Sequence, residues 1–236
     1  MFFKITWLGQ AGYVLKIMDT SICIDPYLSN SGEKKEGVKR LMPIPISPEM
    51  LNVDYLITTH DHLDHFDHET ISAVKMADTT FAGPSSCITE LLHINKKCKD
   101  IISLDRGNSI KTDDFVLQAV YSDHTEDSIG IVISESCDFT KSIYFTGDSL
   151  FNEDLYNIKR YNPVIMFGCI NGKWGNMTYL ELASLAKNLE VKRVIPNHYG
   201  MFAENTEDPK KLEEVLKEYD IDYQELELGK EIVMTI

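Results

Sequence analysis

The chain contains no C-x-x-C pair, and its five cysteines, Cys23, Cys87, Cys98, Cys137 and Cys169, are odd in number and scattered. That spacing excludes a zinc ribbon and a disulfide framework, and fits buried or idle thiols in a reducing compartment. Nothing approaches the run of ~20 apolar residues that a membrane-spanning helix needs. Residues 1–10 also lack a basic segment followed by a long apolar core. A cytoplasmic location without membrane attachment is the resulting expectation. Basic residues are scarce as well: 23 Lys and Arg against 37 Asp and Glu leave a formal charge of −14. No nucleic-acid partner is expected of such a chain, because phosphate contacts need clustered cations. The sequence has no G-x-S-x-G elbow, Walker loop or G-x-G-x-x-G turn, so serine hydrolysis, P-loop chemistry and dinucleotide binding find no support.

What remains is an ordinary globular composition, 43% hydrophobic and 25% charged over 236 residues. That length suits one large domain or two tightly fused halves. Segments 2–8, 13–18 and 21–24 read as a meander of strands that stops at Asp25-Pro26. Asp25 is then either a turn aspartate or a carboxylate that orients a neighbouring ligand. Residues 29–48 are polar and then proline-punctuated, which suggests a lid or a surface excursion, with Lys34, Lys35, Lys39 and Arg40 available to attract an anion. Helices are expected over 69–76, from the Gly83-Pro84-Ser85-Ser86 start to about His93, from Tyr179 and from Pro209. Strands are expected over 79–82, 115–121, 128–134, 141–145, 163–167 and 193–195, with a final hairpin through Gly229-Lys230. Two strand-rich halves carrying helices predict an α+β fold of two packed sheets with helices outside.

The chemistry is concentrated in residues 54–65, Asp-Tyr-Leu-Ile-Thr-Thr-His-Asp-His-Leu-Asp-His. A β-branched, apolar run over 55–59 reads as a buried strand, and it delivers His60, His62, Asp64 and His65. His60 and His62, two apart on extended chain, point the same way and suit one ion; Asp64 and His65 turn toward a second. His124, Asp148 and His198 each follow a predicted strand, the position where open sheets gather ligands. His68 is set aside because the seven residues already named fill two coordination spheres. His93 reads as a packed or capping residue at a helix end. Thr178-Tyr179-Leu180-Glu181 is a capping box. The preceding Asn171-Gly172-Lys173-Trp174-Gly175-Asn176 suits a phosphate or sugar, with Asn171, Lys173 and Asn176 as the candidate substrate-binding residues.

His60-x-His62-x-Asp64-His65, with Asp25 upstream and His124, Asp148 and His198 downstream in that order, resembles the metallo-β-lactamase superfamily. The loops at 170–178 and 198–209 are similar to those of its L-ascorbate-6-phosphate lactonase branch. The resemblance implies a four-layer αββα sandwich over residues 1–236, with halves near 1–110 and 111–236. It further implies two divalent ions, manganese or zinc, with His60, His62 and His124 at the first and Asp64, His65 and His198 at the second. Asp148 would bridge them and Asp25 would orient a ligand from behind. Two divalent ions, two aspartates and a bridging hydroxide sum to about +1, which suits a small anionic substrate and a hydroxide formed near neutral pH. Asp64 is the candidate catalytic proton carrier. The expected reaction opens a lactone or ester of a phosphorylated sugar acid. The alternatives are a phosphodiesterase or nuclease of the same superfamily and a metal-dependent binding protein without chemistry. The sequence is compatible with a homo-oligomer.

Overall fold

Strict alternation starts the chain: Phe3, Ile5 and Trp7 are buried, while Phe2 and Lys4 are exposed and Thr6 is half-buried. A period of two is what a strand covered on one face requires. In a computed structural model describing residues 1–236, this is β1 (Phe2–Gly9), followed by β2 (Gly12–Ile17) and β3 (Thr20–Ile24) in an antiparallel meander. β3 then pairs in parallel with β4 (Tyr55–Ile57), which pairs with β5 (Thr80–Gly83), which pairs with β6 (Asp100–Ser103). The second sheet begins antiparallel, with β7 (Ser109–Lys111), β8 (Val116–Tyr121), β9 (Ile129–Ser134) and β10 (Ser142–Phe145). It continues in parallel through β11 (Pro163–Cys169), β12 (Arg193–Asn197) and β13 (Asp222–Tyr223).

The helices are α1 (Ser31–Lys35), α2 (His68–Ala73), α3 (Ser85–His93), α4 (Tyr179–Asn188) and α5 (Pro209–Glu218). The principal core lies between the sheets, where Tyr13 of the first meets Phe145 and Phe167 of the second at ring distances of 5.5 and 5.1 Å. A separate apolar cluster on the back of the first sheet joins Cys23, Leu56 and Phe81 to Ile71 of α2 and to Cys87 and Leu91 of α3. Leu182 and Leu185 of α4 and Leu212 and Leu216 of α5 are buried in the principal core, covering the second sheet. Two mixed sheets flanked by helices make an α+β sandwich, and β9, β10 and β11 are accordingly apolar with little alternation.

Local differences from the sequence expectations have identifiable causes. The strand expected over 55–59 ends at Ile57, because the Thr59 N–H turns away to donate to Asp25 Oδ1 at 2.7 Å. Instead of a terminal hairpin, the last strand, β14 (Glu231–Thr235), crosses to the first sheet and pairs with β1; β13 stays at the edge of the second. The Gly229 N–H donates to Trp7 O at 2.9 Å and brings the chain across. The short elements α1, β6 and β7 carry too little periodicity to be read from sequence, and the segment between the strands at 141–145 and 163–167 forms a 3-10 helix, Glu153–Tyr161.

Candidate metal centre

Five strands deliver their functional side chains just past their C-terminal ends. Asp25 follows β3, His60 follows β4, His124 follows β8, Asp148 follows β10 and His198 follows β12. Asp148 comes directly after Gly147, whose φ of +61° and approach to the Ile129 carbonyl leave no room for a Cβ. His198 itself stands at φ +61°, a conformation uncommon for any residue but glycine. Strained backbone at a cluster of polar side chains is where a fold gives up local stability for placement.

These side chains converge. His60, His62 and His124 present ligand atoms within 4.8 Å of one another, as do Asp64, His65 and His198. Asp148 lies between: its carboxylate is 3.0 Å from His198 Nε2, 3.3 Å from His65 Nε2 and 3.9 Å from His124 Nε2. The hydrogen bonds behind the rings fix their tautomers. Gly175 O can only accept, so His124 Nδ1 holds the proton at 3.0 Å and Nε2 carries a lone pair. That lone pair points at His62 Nδ1, 2.9 Å away. Asp25 Oδ2 likewise takes the His65 Nδ1 proton at 2.8 Å, leaving His65 Nε2 free toward the centre. Thr59 Oγ1 donates to the same carboxylate and so accepts from His60 Nδ1 at 3.1 Å. His60 Nε2, His65 Nε2 and Asp148 Oδ1 are buried without a hydrogen-bond partner. Converging lone pairs and orphaned buried acceptors are costly unless a cation fills the space they surround, so this donor set fits divalent metal.

The electrostatics agree. Burial opposes charge on His198, yet the Asp148 and Asp64 carboxylates lift it to about 9. Burial opposes charge on His65 too, and Asp148 and Asp25 overcome it and raise that imidazole well above its ordinary range. Asp148 is buried, which favours its neutral form, but His198 and His65 hold it well below the usual carboxylate range. Burial and the neighbouring His65 push His60 far down, toward the neutral form a ligand needs. Positive charge is thus favoured on the Asp64–His65–His198 side of Asp148, while His60 and His124 on the other side are pushed toward the neutral form that a metal ligand needs.

A family model described as a beta-lactamase superfamily domain matches residues 4–198. The chain belongs to the metallo-β-lactamase superfamily. It is 29% identical over 225 residues to a UPF0173 metal-dependent hydrolase of Oenococcus oeni, covering 90% of this chain and 93% of that one. It is 28% identical to another from Caldivirga maquilingensis, over 86% of this chain and 85% of the relative. Among solved structures it resembles a metallo hydrolase from Ignicoccus hospitalis (TM-score 0.80, 18% identity, 100% of both chains). It also resembles an isothiocyanate hydrolase from Delia radicum gut bacteria (TM-score 0.78, 19% identity, 97% of this chain and 98% of that one).

Within this superfamily scaffold the rim of the sandwich holds a cleft of about 220 Å³ that reaches His62, Asp64, His124, Asp148 and His198. Asn176 lines it, and its Nδ2 donates to Asp148 Oδ2 at 2.8 Å. The other two candidate substrate residues point elsewhere. Lys173 Nζ donates to Glu204 O at 3.1 Å, and Asn171 Nδ2 donates to Asn205 Oδ1 at 2.6 Å. The start of α4 is a true capping box, in which Thr178 and Glu181 satisfy its first donors and place a carboxylate there. The Glu181 carboxylate held at that helix end repels an anion there. Two of the four basic residues of 29–48 are similarly engaged: Lys34 pairs with Glu69 at 2.8 Å, and Arg40 is buried, donating to the carbonyls of Tyr27 and Met42. His68 pairs with Glu90 away from the centre, and His93, expected to be packed or capping, is exposed beside the same glutamate.

Sequence reasoning missed Gln10 and Thr59. Gln10 sits at φ +52° in the first turn, fully buried, and its Nε2 donates to Asp64 Oδ2 at 2.7 Å while touching the His198 ring. The turn was legible as Gly9-Gln10-Ala11-Gly12, but nothing local marks a glutamine as a partner for side chains 54 and 188 positions away.

Proposed function

We propose that this chain is a binuclear metal-dependent hydrolase that cleaves a lactone or ester. The observation that carries the reading is the open cleft that reaches both ligand triads and the aspartate between them. The names of the curated relatives, metal-dependent hydrolases, support it. His60, His62 and His124 would hold one ion and Asp64, His65 and His198 the other, with Asp148 shared; manganese and zinc both suit imidazole and carboxylate donors. Such ions supply a Lewis acid and can lower the pKa of water from ~15.7 to ~7. The protein's own part is proton handling and orientation. Asp64 lies in the cleft with its Oδ2 held by Gln10 and His198, so Oδ1 is the atom that takes a proton from water and returns it to the leaving oxygen. Asn176 lines the cleft and would keep Asp148 oriented through its Nδ2.

A phosphorylated sugar acid is the finer reading suggested by the lactonase-like loops. Its anion would need a cation in the cleft, and Lys173 is bound to the Glu204 carbonyl instead. The reaction class therefore carries the proposal, not the phosphate. The manganese- or zinc-loaded protein, assayed on a panel of lactones and esters beside bis-p-nitrophenyl phosphate, is expected to turn over the carbonyl substrates faster. Preference for the phosphodiester would favour a phosphodiesterase, and a metal-replete protein inert on the whole panel would overturn the hydrolase reading.

A further inference from the structure

The cleft contains no lysine or arginine. Its charged members outside the ligand set reduce to one exposed carboxylate, Glu36, at the end of α1. Set against a loaded centre of about +1, that carboxylate brings the mouth close to neutrality, which leaves little net attraction for a phosphate dianion. The apolar members, by contrast, form a surface. Phe202 is buried against Tyr27 and Met201, and Val38 and Leu63, from two other segments, pack onto the same cluster and face the cleft. Trp174 adds an indole to this lining, 60% exposed, at φ +53° next to the Gly175 carbonyl that orients His124. A large aromatic left in solvent, in a conformation that disfavours bulky side chains, is an outlier at the mouth of a polar centre.

Resting on the hydrolase reading above, we infer that the enzyme takes uncharged substrates bearing an aromatic or branched apolar group, which packs between Trp174 and the Val38–Leu63–Phe202 surface while the carbonyl faces the metal centre. Glu36 disfavours phosphorylated and carboxylated homologues by offsetting the attraction of the loaded centre. Aromatic packing adds to the burial of apolar area, so the apolar group gains roughly tenfold in affinity.

Three probes sharing one metal-binding head test this on the manganese-loaded protein: acetohydroxamate, phenylacetohydroxamate and phosphoglycolohydroxamate. Binding is followed by calorimetry and by the fluorescence of Trp174, the exposed member of the chain's two tryptophans. The expected result is a phenyl probe about tenfold tighter than acetohydroxamate and a phosphate probe no tighter than it. Trp174→Ala should bring the phenyl-to-methyl ratio to within about twofold of one, Trp174→Phe should restore most of it, and Glu36→Lys should tighten the phosphate probe alone. A phosphate probe that binds best, or a phenyl advantage untouched by Trp174→Ala, overturns the substrate class while leaving the hydrolase intact. Failure of all three heads to bind the loaded protein overturns the hydrolase reading and the substrate class with it.

Discussion

The sharpest dependence at the residue scale is that of His65 on Asp25. Asp25 Oδ2 is an acceptor for the His65 ring and for Thr59 at once, and its backbone stands at φ +44°, a region asparagine tolerates. Asp25→Asn therefore removes the charge and leaves the turn. Metal affinity at the His65 position is expected to fall about 10- to 100-fold in a chelator competition. Unchanged affinity would reduce Asp25 to a turn residue. His198 gives a pH dependence to the metal-free protein. Its folded pKa, about 9, lies above the ordinary histidine value. A raised pKa means that the folded state binds the proton more tightly, so the stabilisation is complete below about pH 6.5 and disappears as pH climbs through 9. The contribution is on the order of 3 kcal/mol. Urea midpoints of chelator-treated protein should fall between pH 6 and about 9.5, and a flat profile would show that His198 carries no bound proton in the fold.

The decisive element is the connection from β11 to α4. Gly175 has φ +88°, and a Cβ there would come within 2.8 Å of His124 Nδ1. Gly175→Ala is expected to displace that ring and to lower kcat/KM by about tenfold or more, while Tm falls only a few degrees, since an exposed turn of this kind stores about 1–3 kcal/mol. A variant with full activity would mean that the ring has slack which the hydrogen bond to Gly175 O conceals. The existence of this turn could be read from its glycines. Its task could not, because the imidazole it holds lies 51 positions earlier. The same distinction explains Lys173. Glycines, amides and a lysine before a capped helix are the chemistry of an anion site, but the capping box places the Glu181 carboxylate at the helix start and the Glu204 carbonyl has taken the lysine.

Across the whole molecule, the two sheets hold the rim together through their shared core. Phe167 stacks on Phe145 at 4.4 Å and meets Tyr13 edge-on at 5.1 Å, joining both sheets directly beneath the strand ends. Phe167→Ala should cost about 3–5 kcal/mol and lower Tm by roughly 10 °C, with metal binding weakened in the same variant because ligands from both sheets lose their common base. Thermal melts and metal titration of one preparation would check both effects, and a small Tm change would mean that the sheets are joined mainly elsewhere. No helix is long and apolar enough to cross a membrane.

The sequence alone pointed to the seven candidate metal ligands and to their places after the strands that carry them. Hydrophobic period and ligand type are local properties, and His60, His62, Asp64 and His65 declare themselves within six positions. Tertiary structure decided what meets what. Only the packing of two sheets sets Asp148 between His65 and His198, brings Gln10 to Asp64 and lines the cleft with Trp174 and Phe202 in place of a lysine. Those pairings join segments far apart in the chain, and their free energies depend on burial and distance that no local pattern encodes.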